Sequence, residues 1–525
     1  MKGRWRDLSV RVKPILFPLS IYILILIWDL RLIGNSFFLD LFFVFSLVSI
    51  FGYFLSRKLY LTVLSIFSIL ISLVVVIQFI ADQVFGRFLE TGEVFFGVQN
   101  ISLMLPELPF LLTFLDFRIV FLSFMIPPIL ALVLIQFWKS KSKKEESIYL
   151  PILILILLYL PNLFRGGEVN NTNKSPDHYK SQTSFGTKKF NVMIFLLEGV
   201  NSKNLDRQNS FYFSLPEARS FSPFFVSLPH SSSSLFSLLT GLEPNHNYVP
   251  RYREISGENN FLSVFQKHGY KTEIFTSGMG YFEELDKMIP YFGAELKDRK
   301  ELPKLTGKKY QTFPWGIEDR ALLDVSTLNL PSPGNPILEI YLFTNTHSPY
   351  WNPEESKSKL DLSEGGLERY KSSIKYNLRL IDSMIRLRES KIKGETIYLL
   401  TSDHGELFGE GGRYKHGHTL INEEIRVPFY ILSPISIQFS NQEFGTILDI
   451  FPTLTDVLGL EYSFPTDGIS LLKYSPNRTI RLKTWGKGKF GGEIKNFMKK
   501  ICDTRNGDCE SFNLEDIPLD SGIQK

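Results

Sequence analysis

Apolar residues crowd the first third of this chain in long runs and then give way to an ordinary mixed pattern. Five runs lie at about Ile15–Ile27, Phe37–Leu55, Leu59–Ile80, Ile119–Trp138 and Ile148–Leu163. A helix needs ~20 mostly apolar residues to cross a bilayer core, so each run is expected to span a membrane, the first and last by recruiting flanking residues. The mean hydropathy of +0.02, high for a soluble enzyme, agrees. The first run is not a cleaved signal peptide, because no small-residue cleavage site follows it and more runs come after.

Charge sets the expected orientation. Lys2, Arg4, Arg6, Arg11 and Lys13 precede the first run, Arg57 and Lys58 fill the second loop, and Lys139, Lys141, Lys143 and Lys144 fill the fourth. These share one side, the cytoplasmic one. The third loop, Asp82–Arg118, carries Glu90, Glu93, Glu107 and Asp116 and belongs outside. Asp29 and Asp40, near span ends, read as snorkelling side chains. Five crossings from an inside N-terminus place everything after about Phe164 outside. The expected organisation is a membrane domain over residues 1–164, a polar linker over 165–189 and a catalytic domain over 190–525. The net charge of +4 comes largely from lysines and arginines beside the apolar runs, which does not suggest a nucleic-acid partner. Two cysteines, Cys502 and Cys509, are too few for a cysteine zinc site or a disulfide framework.

From Phe190 short apolar strands alternate with helices. The strands are expected at Asn191–Leu197, Thr272–Thr276, Ile337–Phe343, Thr396–Thr401 and Pro428–Leu432, and the helices at Ser234–Thr240, Phe261–His268, Leu367–Arg388 and Thr446–Leu458. In the longest helix Ile374, Leu378, Ile381, Met384, Ile385 and Leu387 make one apolar face. This order implies an α/β domain with a central, largely parallel sheet, whose chemistry sits at the carboxyl ends of the strands. Three such ends carry polar groups: Glu198, the run Ser402-Asp403-His404-Gly405, and the run Thr344-Asn345-Thr346-His347.

Carboxylate and imidazole ligands suit a hard or borderline divalent ion, and Glu198, Asp403 and His404 supply them. The serine run Ser231–Ser234 at a helix start offers a hydroxyl where the helix N-terminus favours an anion. Metal contact there would lower the hydroxyl pKa and make a nucleophile. His416 and His418 add imidazoles that can bind substrate oxygens or protonate a leaving group.

These residues resemble the sulfatase and alkaline phosphatase superfamily. The strand ending in Glu198 looks like its opening strand. Ser231 through Leu239-Thr240-Gly241 resembles its nucleophile helix, and Ser402-Asp403-His404-Gly405-Glu406 its second metal motif. Lys415-His416-Gly417-His418, then Glu424 and Arg426-Val427-Pro428, resembles the segment that follows. The run Asp449–Leu454, the loop Asp467–Leu471 and the tail Asp503–Asp516 match its late helix, its loop and its closing hairpin in a small C-terminal β subdomain. Counting back from Leu239-Thr240-Gly241 puts Ser231 at the nucleophile position, with Ser232 next if the register slips by one. Sulfatases convert that residue to formylglycine, guided by Pro or Ala two residues on and Arg four on. Here Ser233 and Leu235 stand there, so the maturation signal is absent; an unmodified Ser or Thr is the pattern of the phosphotransferase branch.

Five spans before such a domain resemble lipoteichoic acid synthases, other phosphoglycerol transferases and phosphoethanolamine transferases of bacterial cytoplasmic (inner) membranes. The resemblance implies a manganese or zinc ion, rather than magnesium or calcium, on Glu198, Ser231, Asp403 and His404. It implies His347 and His416 for the headgroup or a second ion, with His418 also substrate-binding. Phosphoethanolamine transferases commonly carry several disulfides, whereas this chain has room for at most one, Cys502–Cys509, in an oxidising compartment, which favours the phosphoglycerol branch. The resemblance further implies a phospholipid donor and a glycan, lipid A or glycolipid acceptor. A membrane-bound hydrolase of sulfate or phosphate esters, and a non-catalytic sensor or scaffold, are the rival expectations.

Overall fold

The structure is a computed structural model that describes residues 76–78, 189–244, 250–281, 284–331, 334–355, 366–485, 490–504 and 506–519. The chain divides into two units, Met1–Asn173 and Lys174–Lys525, and nearly all described residues belong to the second. The five expected spans lie outside the described residues, apart from Val76–Gln78. No helix among the described residues is long and apolar enough to cross a membrane.

The second unit is built on a seven-stranded sheet. Its strands are β1 (Asn191–Leu197), β2 (Arg219–Ser220), β3 (Lys271–Thr276), β4 (Glu295–Lys297), β5 (Ile337–Phe343), β6 (Thr396–Ser402) and β7 (Phe429–Leu432). Their order is β2-β7-β6-β1-β5-β3-β4. The run β6-β1-β5-β3-β4 is parallel, and β7 is antiparallel to both its neighbours. All of β1 is buried, as a strand covered on both faces must be.

The two-residue period of β1 sorts its side chains into two cores. Val192, Ile194 and Leu196 face helices α1 (Ser231–Thr240), α2 (Phe261–Lys267) and α6 (Ile450–Leu458) through Leu238, Phe265 and Phe451 among others. Met193, Phe195 and Leu197 face α4 (Arg320–Ser326) and α5 (Leu367–Lys391) through Leu322, Ile381 and Ile385. A short helix α3 (Leu285–Tyr291) adds Met288 and Ile289 to the first core.

Element ends differ from the sequence reading for local reasons. Helix α1 starts three residues earlier than expected, because Ser231–Ser233 continue the helix instead of capping it. Helix α6 starts later: Thr446 and Asp449 form a capping box around a 3₁₀ turn that precedes it. On α5 Leu387 is only half-buried and Arg388 takes the inward position, where Glu339 of β5 neutralises it at 2.6 Å. The C-terminal part is a four-stranded antiparallel sheet: β8 (Thr479–Lys483), β9 (Phe490–Lys495), β10 (Met498–Asp503) and β11 (Cys509–Asn513). Cys502 and Cys509 pair across β10 and β11 as a disulfide.

Candidate active site

The strands β6, β1 and β5 are neighbours, so Asp403-His404, Glu198 and the Thr344–His347 segment emerge side by side. Ser231 enters from above this edge as the first residue of α1. His230, the N-cap, has an extended backbone and gives no side-chain cap. The first-turn N–H groups of a ten-residue helix therefore face the same space as the Ser231 hydroxyl.

Ser231 Oγ lies 3.0 and 3.1 Å from the two Glu198 oxygens and 3.2 Å from His404 Nε2. Ser232 Oγ is buried and has no hydrogen-bond partner, so Ser231 is the hydroxyl that meets the cluster. Helix and strand end are locked together: Ser234, one turn on, donates to the Asp403 carbonyl at 2.5 Å. Thr346 Oγ1 similarly donates to the Glu198 carbonyl at 2.6 Å. Gly405 is needed for close approach, because a Cβ there would sit 2.0 Å from the Glu423 carbonyl oxygen.

Two carboxylates and several imidazoles in one buried place set each other's charge. Burial opposes the Glu198 carboxylate, but hydrogen bonding to His404 and the charges of His404 and His347 override it and lower its pKa to about 2. Burial, and then the Glu198 charge, pushes Asp403 up to about 7. Burial opposes the His404 cation, yet Asp403 and Glu198 raise it to about 10. His416 is held well below its usual value by burial and then by His404 and the other nearby imidazoles.

The donor set fits a divalent ion. Ligand atoms of Glu198, His404 and His416 lie within 4.8 Å of one another. Both imidazoles are oriented through Nδ1: that of His404 lies 2.8 Å from the Gly405 carbonyl, and that of His416 lies 3.1 Å from Glu406. Such second bonds fix the tautomer and leave Nε2 for an ion. Asp403 spends Oδ1 on the N–H groups of Gly199 and His404, both at 2.8 Å, and turns Oδ2 toward His404 Nε2 at 3.6 Å. His416, read from the sequence as binding the headgroup or a second ion, is one of the three residues whose ligand atoms come together here.

A cavity of ≈ 90 Å³ opens at this cluster, lined by Glu198, His230, Ser231, His347, Asp403 and His416 and also by Leu196, Leu235, Met279, Leu285, Trp315 and Leu342. His418 is buried in the same loop as His416 but is not among the lining residues. Sequence reasoning missed two tryptophans. Trp315 packs on His347 with ring centroids 4.0 Å apart, and Trp485 lies parallel to His230 at 4.3 Å. Neither belongs to a periodic element or a recognisable motif; only their aromatic character in polar loops could have marked them.

Fold and site together are those of a sulfatase-type domain. Residues 196–460 match the Sulfatase family model, and the chain belongs to that family. It is 22% identical over 428 residues to an arylsulfatase of Clostridium perfringens, covering 63% of this chain and 89% of that protein. It is 32% identical to the low-salt glycan biosynthesis sulfotransferase Agl7 of Haloferax volcanii over 144 residues, 26% of this chain and 34% of that one. Among solved structures it resembles the lipoteichoic acid synthase LtaP of Listeria monocytogenes. That match has a TM-score of 0.53 at 17% identity and covers 66% of this chain and 90% of that one. A 2-O GAG sulfatase has a TM-score of 0.50 at 15% identity over 64% and 88%. These likenesses describe the fold.

Proposed function

We propose that this chain is a membrane-tethered transferase that moves a phospholipid headgroup, phosphoglycerol or phosphoethanolamine, to a hydroxyl or phosphate of an envelope glycan or glycolipid. In this reading residues 1–164 anchor it, 165–189 link, and 190–525 work outside a bacterial-type cytoplasmic membrane. The observation that carries it is a Ser231 hydroxyl within 3.2 Å of both Glu198 and His404, at a helix N-terminus, with Ser233 and Leu235 where formylglycine maturation needs Pro or Ala and Arg.

A divalent ion held by Glu198, Asp403, His404 and His416 beside Ser231 would supply Lewis-acid stabilisation of phosphoryl charge. The Ser231 hydroxyl, oriented by its hydrogen bond to the Glu198 carboxylate, loses its proton to solvent and its Oγ attacks phosphorus. The Oγ–P bond forms as the P–O bond to diacylglycerol breaks. His347 or His230, both lining the cavity, delivers the proton that the departing oxygen needs. The acceptor then attacks the phospho-Ser231 ester, its oxygen–phosphorus bond forming as the Oγ–P bond breaks, and its proton returns to the imidazole that gave one up. First-turn N–H groups of α1 stabilise the phosphoryl oxygens in both steps.

Mass spectrometry of the full chain after incubation with phospholipids tests this. An adduct on Ser231 of headgroup mass is expected, absent in Ser231→Ala. Full turnover by Ser231→Ala would sink the assignment. The arylsulfatase relative favours a second reading, hydrolysis with water as acceptor. Labelled phospholipid separates the two, because hydrolysis yields free headgroup phosphate without a labelled acceptor.

A further inference from the structure

The C-terminal sheet ends, away from the cavity, in a tip that its own packing does not explain. Strands β9 and β10 join through a two-residue turn, Asn496-Phe497, closed by the pair Lys495 and Met498. Both turn residues have positive φ, 48° and 61°. Glycine or asparagine usually fills such positions, and a bulky aromatic there is strained. Phe497 gains no burial in return: it is 60% exposed, and its neighbour Met498 is 49% exposed. Two more apolar side chains flank them. Ile517, 60% exposed, follows β11 and bonds back to Asn513, the residue opposite Met498. Tyr474, 59% exposed, adjoins Ser475, which Gln442 grips at 2.9 Å, while the next residue, Glu443, takes the Phe497 N–H.

We propose that Tyr474, Phe497, Met498 and Ile517 form a foot that dips into the interfacial zone of the bilayer. The inference rests on the membrane-anchored reading of residues 1–164. Chain length argues for that occupant. The linker between the last apolar run and Lys189 is about 25 residues, which reach at most ~85 Å, so the domain is always near a bilayer. Tyrosine and phenylalanine suit the headgroup level, and Lys495, exposed and opposite Met498, can lie along the apolar patch with its ammonium in water. Charge is balanced at the tip: Lys500 faces Glu493, and Glu443 lies beside Phe497. Insertion therefore relies on apolar contact and needs no anionic lipid. Docking has a consequence for the site. Strand β8 begins beside the tip, where Thr479 pairs with Lys495, and leads on to Trp485 against His230. Those few residues span roughly 20 Å, so the foot would hold the cavity at a set height above the lipid.

The test uses the full chain in phosphatidylcholine vesicles. Its two cysteines are joined to each other, so a cysteine placed at Phe497 or, separately, at Tyr474 is the sole thiol for an environment-sensitive fluorophore. Leu328→Cys, at a position 61% exposed elsewhere on the domain, is the control. Blue-shifted emission, and at least twofold quenching by lipids with a shallow nitroxide, is expected at 497 and 474 and not at 328. Chain retained by vesicles through alkaline carbonate, with all three labels equally unquenched, overturns the foot and leaves the anchor standing. Chain released by carbonate overturns both.

Discussion

Occupying the site with a divalent ion should release protons in a number that changes with pH. Before binding, Glu198 is ionised because its pKa is lowered to about 2, His404 carries a proton because its pKa is raised to about 10, and Asp403 titrates at about 7. His416, held well below its usual value, is already neutral and has nothing to release. An ion requires ionised carboxylates and neutral imidazoles. At pH 6 Asp403 is about nine-tenths protonated, so binding releases roughly 1.9 protons; at pH 8 the number falls to roughly 1.1. Summed across that interval, affinity should rise about 10³-fold from pH 6 to pH 8. The sign follows from the raised pKa values of His404 and Asp403, because every bound proton competes with the ion. Calorimetric titration with Mn²⁺, repeated in buffers of different ionisation enthalpy, reads the proton number directly. Ionisation of Ser231 would add one proton at every pH, and Ser231→Ala subtracts it. Affinity and proton release that do not vary between pH 6 and pH 8 would refute the charge reasoning. So would full Mn²⁺ affinity in Glu198→Gln.

Three further outcomes follow from other parts of the domain. Arg388→Ala should cost about 3–5 kcal/mol in urea unfolding by stranding the Glu339 carboxylate, which is wholly buried, whereas Arg388→Met with Glu339→Gln should recover most of it. Trp485→Ala removes the ring parallel to His230 and should lower turnover by about 2–13-fold, the rate equivalent of ~0.5–1.5 kcal/mol of aromatic contact, with unchanged Mn²⁺ affinity. Asp319, which accepts hydrogen bonds from Ser277 and from the Thr344 and Asn345 N–H groups, is pushed up to about 6 by burial. Its folded value lies above the unfolded one. Stability it contributes below pH ~4 is therefore lost as pH rises through 6, by about 3 kcal/mol. Asp319→Asn should flatten that part of the pH–Tm profile, and an unaltered profile would count against it.

What the sequence made legible follows a physical rule. Strand β1 was readable to the residue because a strand buried on both faces is a continuous apolar run, and Glu198 stood out as the charge that ends it. The adjacency of β6, β1 and β5 could be expected from alternating strands and helices, but not the distances, because no local pattern encodes how far α1 slides along the sheet edge. Ser234 settles that: its bond to the Asp403 carbonyl fixes the helix where Ser231, and not Ser232, meets Glu198. His416 illustrates the opposite case. In the sequence it is one imidazole of two in a polar loop, with the same chemistry as His418. Their difference comes from Glu406, which orients His416 from a neighbouring strand end. Arg388 breaks an apolar stripe for the same reason, since its partner Glu339 lies on another element. Periodicity reports what each element does to its own face. The candidate site is made where faces meet, so its members were legible as residue types and their grouping only as geometry.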